Sequence, residues 1–300
     1  MSNGILEKVA EVFHPPVPLW ACEITSKHVI VAGVSKRRSQ VREKMAVQLP
    51  AGSVSGSLSG INIHNVEAAR STLKKALSDA AFQDSEITVI VPDDAARIAF
   101  LTVEQLSKNP DEQQTFIRWK FKKTVPFDVD SAQVAYRVLG PHNGGIEMLV
   151  SLSPRSVIQE YEDLFDSLDL HAGLVMPSTL AALNVLNAPA GDVLFLKIAP
   201  DCITTTVFQD KRMRFYRRVT DVVSLYDAVY PTVMYYQDKL GGHAFQHLFV
   251  CGYDSDIRTL VAEIQEKLRL FAQPLEPRSV EDIFKPALGA VHLSHPEEVR

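Results

Sequence analysis

The order of predicted elements repeats along this chain, and the repeat constrains the fold more than any other feature of the sequence. In the first copy, three extended segments at 19–24, 29–34 and 41–49 are rich in β-branched residues and are separated by polar turns. A helix with apolar residues on one face follows the N-cap candidate Asn65, and the short apolar run 87–92 reads as a buried strand. This order of elements is typical of one α/β lobe.

The second copy repeats this order after residue 191. Three extended segments lie between 193 and 219, Asp221 is the N-cap candidate of the next helix, and 247–251 forms the following strand. Pro231 should kink that helix. Three strands, a helix and a strand, twice over, predict an α/β protein with the duplicated actin-like (ribonuclease H-like) fold, in which two similar lobes flank a cleft.

The segment between the copies has its own character and predicts an inserted small α/β subdomain. It contains a predicted helix at 111–124, strands at 132–139 and 146–151, and the hairpin-turn dipeptide Asn143-Gly144. The predicted organisation places the domain boundaries as follows: an N-terminal extension at 1–17, a first lobe at 18–190 with the insertion at about 93–153, a second lobe at 191–293 and a tail at 294–300.

Composition excludes several classes of protein. A formal net charge of -5, with no stripe of basic residues among aromatics, argues against a nucleic-acid partner. Apolar runs stay far below the roughly 20 residues that a membrane helix needs, so direct membrane insertion is not expected. The N-terminus lacks the layout of a signal peptide, and the three cysteines read as buried apolar residues in a reducing compartment. Together these features predict a cytoplasmic protein.

The insertion also resembles a known family. The run from Thr115 to Phe127, TFIRWKFKKTVPF, followed by the extended VAYRVL segment at 134–139, is similar to the small inserted subdomain of PilM proteins. The segment 178–186, the run MYYQ at 234–237 and the run PALGA at 286–290 continue the likeness, which holds in order over roughly residues 18–291.

This resemblance implies a function and a partner. PilM proteins are cytoplasmic components of type IV pilus machines, and the cytoplasmic parts of type II secretion L proteins are related to them. The resemblance implies that the chain binds the short cytoplasmic N-terminus of a PilN-like inner-membrane protein and so lies peripheral to the inner membrane through that partner. Self-association is a further expectation.

The first of the two hairpins that hold phosphates in actin-like ATPases is altered here. Glycine lets backbone N–H groups approach phosphate oxygens, and aspartate positions hydrated magnesium. Ala21, Glu23 and Thr25 stand where the family pattern has glycine, aspartate and glycine, whereas Ser26 remains as a hydroxyl donor. Glu23 is a conceivable metal ligand, but the Cβ of Thr25 crowds the turn.

The second phosphate-binding hairpin, and the loop at Gly252 that faces the adenosine in actin-like ATPases, depart further from the family pattern. Lys197 and Ala199 replace the expected aspartate and glycine, Pro200 lacks an N–H donor, and Tyr253 takes the place of a second glycine after Gly252. We therefore expect no cofactor, no metal site and no hydrolysis, with residual binding of ATP and Mg²⁺ as the alternative. The residues of this degenerate nucleotide site are Glu23, Thr25, Ser26, Asp201, Thr204 and Gly252.

The predicted helix of the insertion carries more apolar residues than one buried stripe requires. One interpretation of these apolar residues is a docking surface for a partner peptide or a second copy of the chain. The other is that they form the core of the subdomain. The candidate partner-binding residues are Phe116, Trp119, Phe121, Val125, Pro126 and Phe127. The function predicted from the sequence is a scaffold or adaptor without assigned catalytic residues; the alternatives are an active actin-like ATPase or sugar-kinase-like enzyme, and a filament-forming cytoskeletal protein.

Overall fold

A computed structural model describes residues 17–35, 41–142, 144–222, 224–253, 257–273, 275–276 and 278–291. The predicted tail and all but the last residue of the predicted N-terminal extension lie outside the described residues. Within the described part of the chain, no helix has the length and apolar character needed to cross a membrane.

The structure consists of strands and helices in the following order. The strands are β1 (Trp20–Ile24), β2 (His28–Val34), β3 (Val41–Gln48), β4 (Glu86–Val91), β5 (Arg97–Val103), β6 (Gln133–His142), β7 (Gly145–Ser153), β8 (His171–Pro177), β9 (Asp192–Ile198), β10 (Cys202–Gln209), β11 (Arg212–Thr220), β12 (His247–Gly252) and β13 (Ala272–Gln273). The helices are α1 (Val66–Asp79), α2 (Pro110–Phe121), α3 (Arg155–Asp166), α4 (Ser178–Leu183), α5 (Leu225–Leu240), α6 (Ile257–Leu268) and α7 (Lys285–Val291).

Two five-stranded sheets share one topology. The first has the order β3-β2-β1-β4-β8 and the second the order β11-β10-β9-β12-β13. In the first sheet, β1, β2 and β3 form an antiparallel meander, and β4 and β8 run parallel to β1. In the second sheet, β9, β10 and β11 form the meander, and β12 and β13 run parallel to β9. The internal duplication predicted from the order of elements, and with it the α/β fold, is confirmed.

Both faces of the first sheet are buried, because its central strand carries apolar side chains on alternate sides. Cys22 and Ile24 of β1 pack in a core with α1 and α3, whereas Ala21 packs on the other side with α4 and α7. The side chain of Asn65 accepts a hydrogen bond from the Ala68 N–H, so the predicted cap of α1 is confirmed.

The second sheet packs against α5 and α6 in a separate core. The predicted cap of α5 at Asp221 is wrong, since Asp221 has a φ of 53° and lies before the helix. Ser224 caps this helix instead, because its hydroxyl accepts a hydrogen bond from the Asp227 N–H. Pro231 lies inside α5, as expected.

The insertion forms a three-stranded antiparallel sheet of order β5-β7-β6, covered by α2. The edge strand β5 was not predicted from the sequence, and α2 ends at Phe121 rather than at residue 124. In the turn between β6 and β7, Gly144 has a φ of +80°, which suits a hairpin dipeptide, whereas Asn143 lies outside the described residues.

The last helix, α7, returns to the first lobe. It packs against α4 and the first sheet, in a core with Ala21 and Ile30. The sequence-based boundary assigned 191–293 to the second lobe, and for 285–291 that assignment is wrong. The close approach of Gly289 to the backbone oxygen of Ala181 gives the physical reason, because a Cβ at Gly289 would lie 2.0 Å from that oxygen.

Candidate functional site

The candidate site lies where the carboxyl ends of the two central strands face each other across the cleft. Glu23 is near the end of β1 and Lys197 near the end of β9. Because β4 runs parallel to β1 and β12 runs parallel to β9, the residues that follow them, Asp93 and Tyr253, come to the same edges. The duplicated topology thus brings four polar side chains together between the lobes.

An ion pair between the lobes occupies the centre of this site. The Lys197 ammonium lies 3.3 Å from Oδ2 of Asp93, and the two side chains are 1% and 0% exposed. The Asp93 carboxylate also accepts hydrogen bonds from the Thr179 N–H at 2.7 Å, the Thr179 hydroxyl at 2.6 Å and the Thr204 hydroxyl at 3.2 Å. Such saturation by donors is what makes a buried carboxylate tolerable.

The charge state of Lys197 follows from its neighbours. Burial lowers the pKa of Lys197, but the carboxylates of Asp93 and Glu23 outweigh burial, and the pKa is raised above its ordinary value. The ammonium therefore stays protonated. A fixed positive charge stands where a metal-binding site would need an oxygen ligand.

Glu23 is held by two hydroxyl groups. Its Oε1 accepts hydrogen bonds from the hydroxyls of Ser178 and Tyr253. Its Oε2 is buried and has no hydrogen-bond partner within the described part of the chain. Burial raises the pKa of the Glu23 carboxyl, although Lys197 and the two hydroxyls act in the opposite direction.

Tyr253 fills the part of the cleft next to Gly252. The Lys197 ammonium lies 5.1 Å from the centre of the Tyr253 ring, within the range of a cation–π contact. Gly252 is buried and pairs with Ile198 in the second sheet, so it places the following tyrosine directly in the cleft. Burial raises the pKa of the Tyr253 phenol well above its ordinary value, which keeps the hydroxyl a hydrogen-bond donor to Glu23.

The two hairpin turns contact each other directly. The Ser26 hydroxyl donates a hydrogen bond of 2.8 Å to Oδ1 of Asp201, which joins the tips of the β1–β2 and β9–β10 hairpins. In the first turn, the N–H groups of Lys27 and His28 donate to Oγ1 of Thr25, and the Thr25 N–H donates to the His28 carbonyl. These N–H groups are thus satisfied within the turn.

A nucleoside triphosphate with magnesium does not fit the residues present. The space between the hairpin tips is bridged by Ser26 and Asp201, Lys197 offers a cation in place of a metal ligand, and Tyr253 fills the adjoining volume. Among the described residues, no cluster of three or more histidine, cysteine, aspartate or glutamate side chains forms a metal site.

The predicted partner-binding residues separate into two groups. Phe121 is buried in the subdomain core, and the half-buried Val125 and Phe127 pack against it, which favours the core interpretation for these three. Phe116 and Trp119 are 38% and 65% exposed, with ring centres 5.8 Å apart. Pro126 is exposed as well.

A second surface feature is an apolar groove of about 660 Å³ beside the insertion. We call it the β6 groove, since strand β6 forms one wall and α4 and the β10–β11 turn form the others. Strand β6 is an edge strand, which pairs with β7 and with no other strand among the described residues. The apolar lining includes Val138, Leu139, Leu149, Leu180, Leu183 and Phe208.

Sequence reasoning missed Asp93, Ser178, Thr179 and Arg218 as members of the cleft. Arg218 forms an ion pair with Asp94 and donates to the carbonyl of Asp93 at 3.0 Å. The sequence did contain a signal for Asp93. Asp93 and Asp94 directly follow the buried strand 87–92, and the end of this strand lies at the same sheet edge as Glu23.

Comparisons with known proteins identify the fold. A scan of protein-family models and a search of curated sequences found no match. Among solved structures, the chain is similar to one from a PilM–PilN type IV pilus biogenesis complex, with a TM-score of 0.71 and 15% identity, covering 92% of this chain and 98% of that one.

Two further structures agree with this result. One is a Bacteroides thetaiotaomicron protein with an actin-like ATPase fold, at a TM-score of 0.57 and 11% identity over 90% of this chain and 94% of that one. The other is the cytoplasmic domain of EpsL, an inner-membrane component of the Vibrio cholerae type II secretion system. Its TM-score is 0.53 and its identity 10%, over 92% of this chain and 94% of that one. The chain therefore has the actin-like fold and is PilM-like in its architecture.

Proposed function

We propose that the chain is a cytoplasmic scaffold or adaptor of a type IV pilus, or related type II secretion, assembly platform, and that it does not hydrolyse ATP. The observation that carries the proposal is the buried Lys197–Asp93 pair, because it places the chain's own charges where a nucleotide and its metal would bind. The fold shared with a chain of a PilM–PilN complex and with cytoplasmic EpsL supports the biological context.

The proposed partner is the cytoplasmic N-terminus of a PilN-like inner-membrane protein, which would hold the chain at the membrane. Short extended peptides bind beside edge strands, where they gain main-chain hydrogen bonds and place alternate side chains in pockets. The β6 groove offers an edge strand and an apolar floor together. The exposed pair Phe116 and Trp119 does not line this groove, and we place the peptide in the groove.

A binding experiment tests the partner. A fluorescent peptide with the sequence of a PilN-like N-terminus is titrated with the chain, and Val138→Glu, a change at a 44% exposed position on β6, should weaken binding at least about tenfold. Trp119→Ser is the matched surface control and should leave binding unchanged. Equal binding by the wild type and Val138→Glu would contradict the groove, and no binding by the wild type would contradict the adaptor role.

Calorimetry with millimolar ATP and Mg²⁺ tests the other half of the proposal. We expect no release of phosphate and no binding heat that depends on magnesium or on Asp201. Binding that depends on magnesium and is abolished by Asp201→Asn would favour the rival ATPase or sugar-kinase-like enzyme. Sedimentation over a range of chain concentrations tests self-association, and long polymers formed without a partner would favour a cytoskeletal filament.

A further inference from the structure

A polar cavity of about 730 Å³ lies between the insertion and the second lobe, apart from the β6 groove. Two edge strands, β5 of the insertion and β11 of the second lobe, form its walls with helix α5. We call it the β5–β11 cavity. Cavities that bind small molecules have volumes of about 300–1,000 Å³, so this one has the size of a ligand site.

The charge of the lining is strongly positive although the whole chain has a formal net charge of -5. One carboxylate, Glu147, lines the cavity. The cationic side chains that line it are Arg97, Arg214, Arg217, Arg218 and Lys239. Such a concentration of one sign of charge in a concave site attracts ligands of the opposite sign.

Three of the arginines are positioned by the protein itself. Arg214 pairs with Glu147 at 2.8 Å and also contacts the His142 ring. Arg218 pairs with Asp94, and Arg217 donates to the carbonyl of Ala228 at 3.0 Å. Each of these contacts fixes a guanidinium at the wall of the cavity. A guanidinium keeps further N–H donors after one such contact, because it carries five.

Two cations in the cavity are not neutralised. Arg97 and Lys239 are exposed, and neither side chain has an ion pair or hydrogen bond within the described part of the chain. Arg97 lies on β5 and Lys239 on α5, so the two cations belong to different elements that line the cavity. Arginine and lysine placed in this way are the groups that hold phosphate in proteins.

An aromatic surface adjoins these cations. The ring of Tyr235 is 39% exposed and stacks on Phe215, with ring centres 4.3 Å apart and planes at 24°. Both residues line the cavity. A planar group on a bound anion would find a stacking partner there.

From this geometry we propose that the β5–β11 cavity binds a small molecule that carries two or more phosphate groups. The ligand is held by Arg97 on β5 and Lys239 on α5, with Arg217 on β11 supplying further donors. The lining comes from five elements, β5, β6, β7, β11 and α5, around a volume that suits a small molecule better than a long acidic chain. This site adjoins the cleft that contains Lys197, with Arg218 at the boundary between them, and it does not depend on the proposed adaptor role.

Calorimetry with inorganic pyrophosphate, without magnesium and at about 0.15 M salt, tests the site. The wild type should bind, and the double variant Arg97→Gln/Lys239→Gln should bind at least about tenfold more weakly, since hydrogen bonds to charged groups are lost at two positions. ATP and GTP form a second arm and should bind more tightly than pyrophosphate if a ring stacks on Tyr235.

The matched control removes two other exposed lysines, in Lys74→Gln/Lys108→Gln, and changes the net charge by the same amount. It should bind as the wild type does. A wild type that does not bind pyrophosphate, or an equal loss in both double variants, would overturn the proposal. Tighter binding of a poly-glutamate peptide than of pyrophosphate, lost in Arg97→Gln/Lys239→Gln, would overturn it in favour of an acidic protein segment.

Discussion

The Lys197 ammonium of the second lobe lies 3.3 Å from the Asp93 carboxylate of the first, and both side chains are buried. Further polar contacts cross the cleft beside this pair: Ser26 with Asp201, and Tyr253 with Glu23. The resemblance to actin-like ATPases places the two phosphate-binding hairpins, β1–β2 and β9–β10, at this cleft. Here the side chains of the protein itself join the lobes, which is the physical basis of the proposed scaffold role.

The first prediction concerns the cost of breaking the buried pair. Lys197→Met leaves the Asp93 carboxylate buried without its counter-ion and should lower the free energy of unfolding by about 3–5 kcal/mol, as measured by urea denaturation. Adding Asp93→Asn should recover part of the loss, because the buried charge is then removed as well.

The exposed pair of Lys75 and Asp79, 2.7 Å apart in α1, provides the control. Lys75→Met should change the free energy of unfolding by less than about 0.5 kcal/mol, since solvent screens a surface pair. Similar small effects of Lys75→Met and Lys197→Met would show that the buried pair does not hold the lobes.

The second prediction concerns pH. Burial raises the pKa of Glu23 above its ordinary value of 4.5, so between the two pKa values the folded chain binds more protons than the unfolded one. The contribution of Glu23 to the free energy of unfolding therefore falls as the pH rises through the window that opens at 4.5. In Glu23→Gln this contribution is absent.

Urea denaturation from pH 4.5 to 8 measures the difference between the wild type and Glu23→Gln. The wild type should lose stability relative to the variant as the pH rises. A difference that stays constant over this range, or that changes in favour of the wild type, would show that the Glu23 pKa is not raised.

The sequence predicted the duplicated architecture because three physical signals agree in both copies. Extended β-branched segments, a capped amphipathic helix and a short apolar strand recur in order, and the two sheets have the same strand order. The prediction failed where the signal was local and ambiguous. Asp221 and Ser224 are both residue types that cap helices well. In the structure Asp221 has a φ of 53° and lies before the helix, so Ser224 is the N-cap of α5.

The cleft was predictable in part. Lys197 and Tyr253 stand where the pattern of actin-like ATPases has aspartate and glycine. Their partners across the cleft, Asp93 and Glu23, could not be identified from spacing alone. Asp93 is 104 positions from Lys197 and Ser178 is 155 from Glu23, so only the folded sheets bring them together. The β5–β11 cavity could not be predicted either, because it requires that the unpredicted strand β5 lie beside β11.

The third prediction concerns the contact of α4 with α7. Gly289 lies so close to α4 that an added Cβ would meet the Ala181 oxygen at 2.0 Å. Gly289→Ala should lower the free energy of unfolding by about 1–3 kcal/mol, because overpacking outweighs the gain of about 1 kcal/mol in helix propensity. Thermal denaturation measures the effect.

Gly60→Ala is the matched control for Gly289→Ala. The Cβ it adds would have only the Ser57 hydroxyl nearby, at an ordinary 3.6 Å. It should leave the midpoint of thermal denaturation unchanged or slightly raised. If Gly289→Ala were equally harmless, the packing of α7 on the first lobe would not be tight, and the assignment of 285–291 to that lobe would lose its physical basis.

The fourth prediction separates core from surface within the α2 helix. Phe121 is 9% exposed and packs in the subdomain core, whereas Trp119, two residues before it, is 65% exposed. Phe121→Ala should lower the free energy of unfolding by about 3–5 kcal/mol through loss of apolar burial and the cavity left behind. Trp119→Ala removes a largely exposed ring that contacts Phe116 and Lys120 and should cost less than about 1 kcal/mol. Equal losses in urea denaturation would mean that Trp119 is buried, and the exposed aromatic pair would then no longer be a candidate surface for self-association.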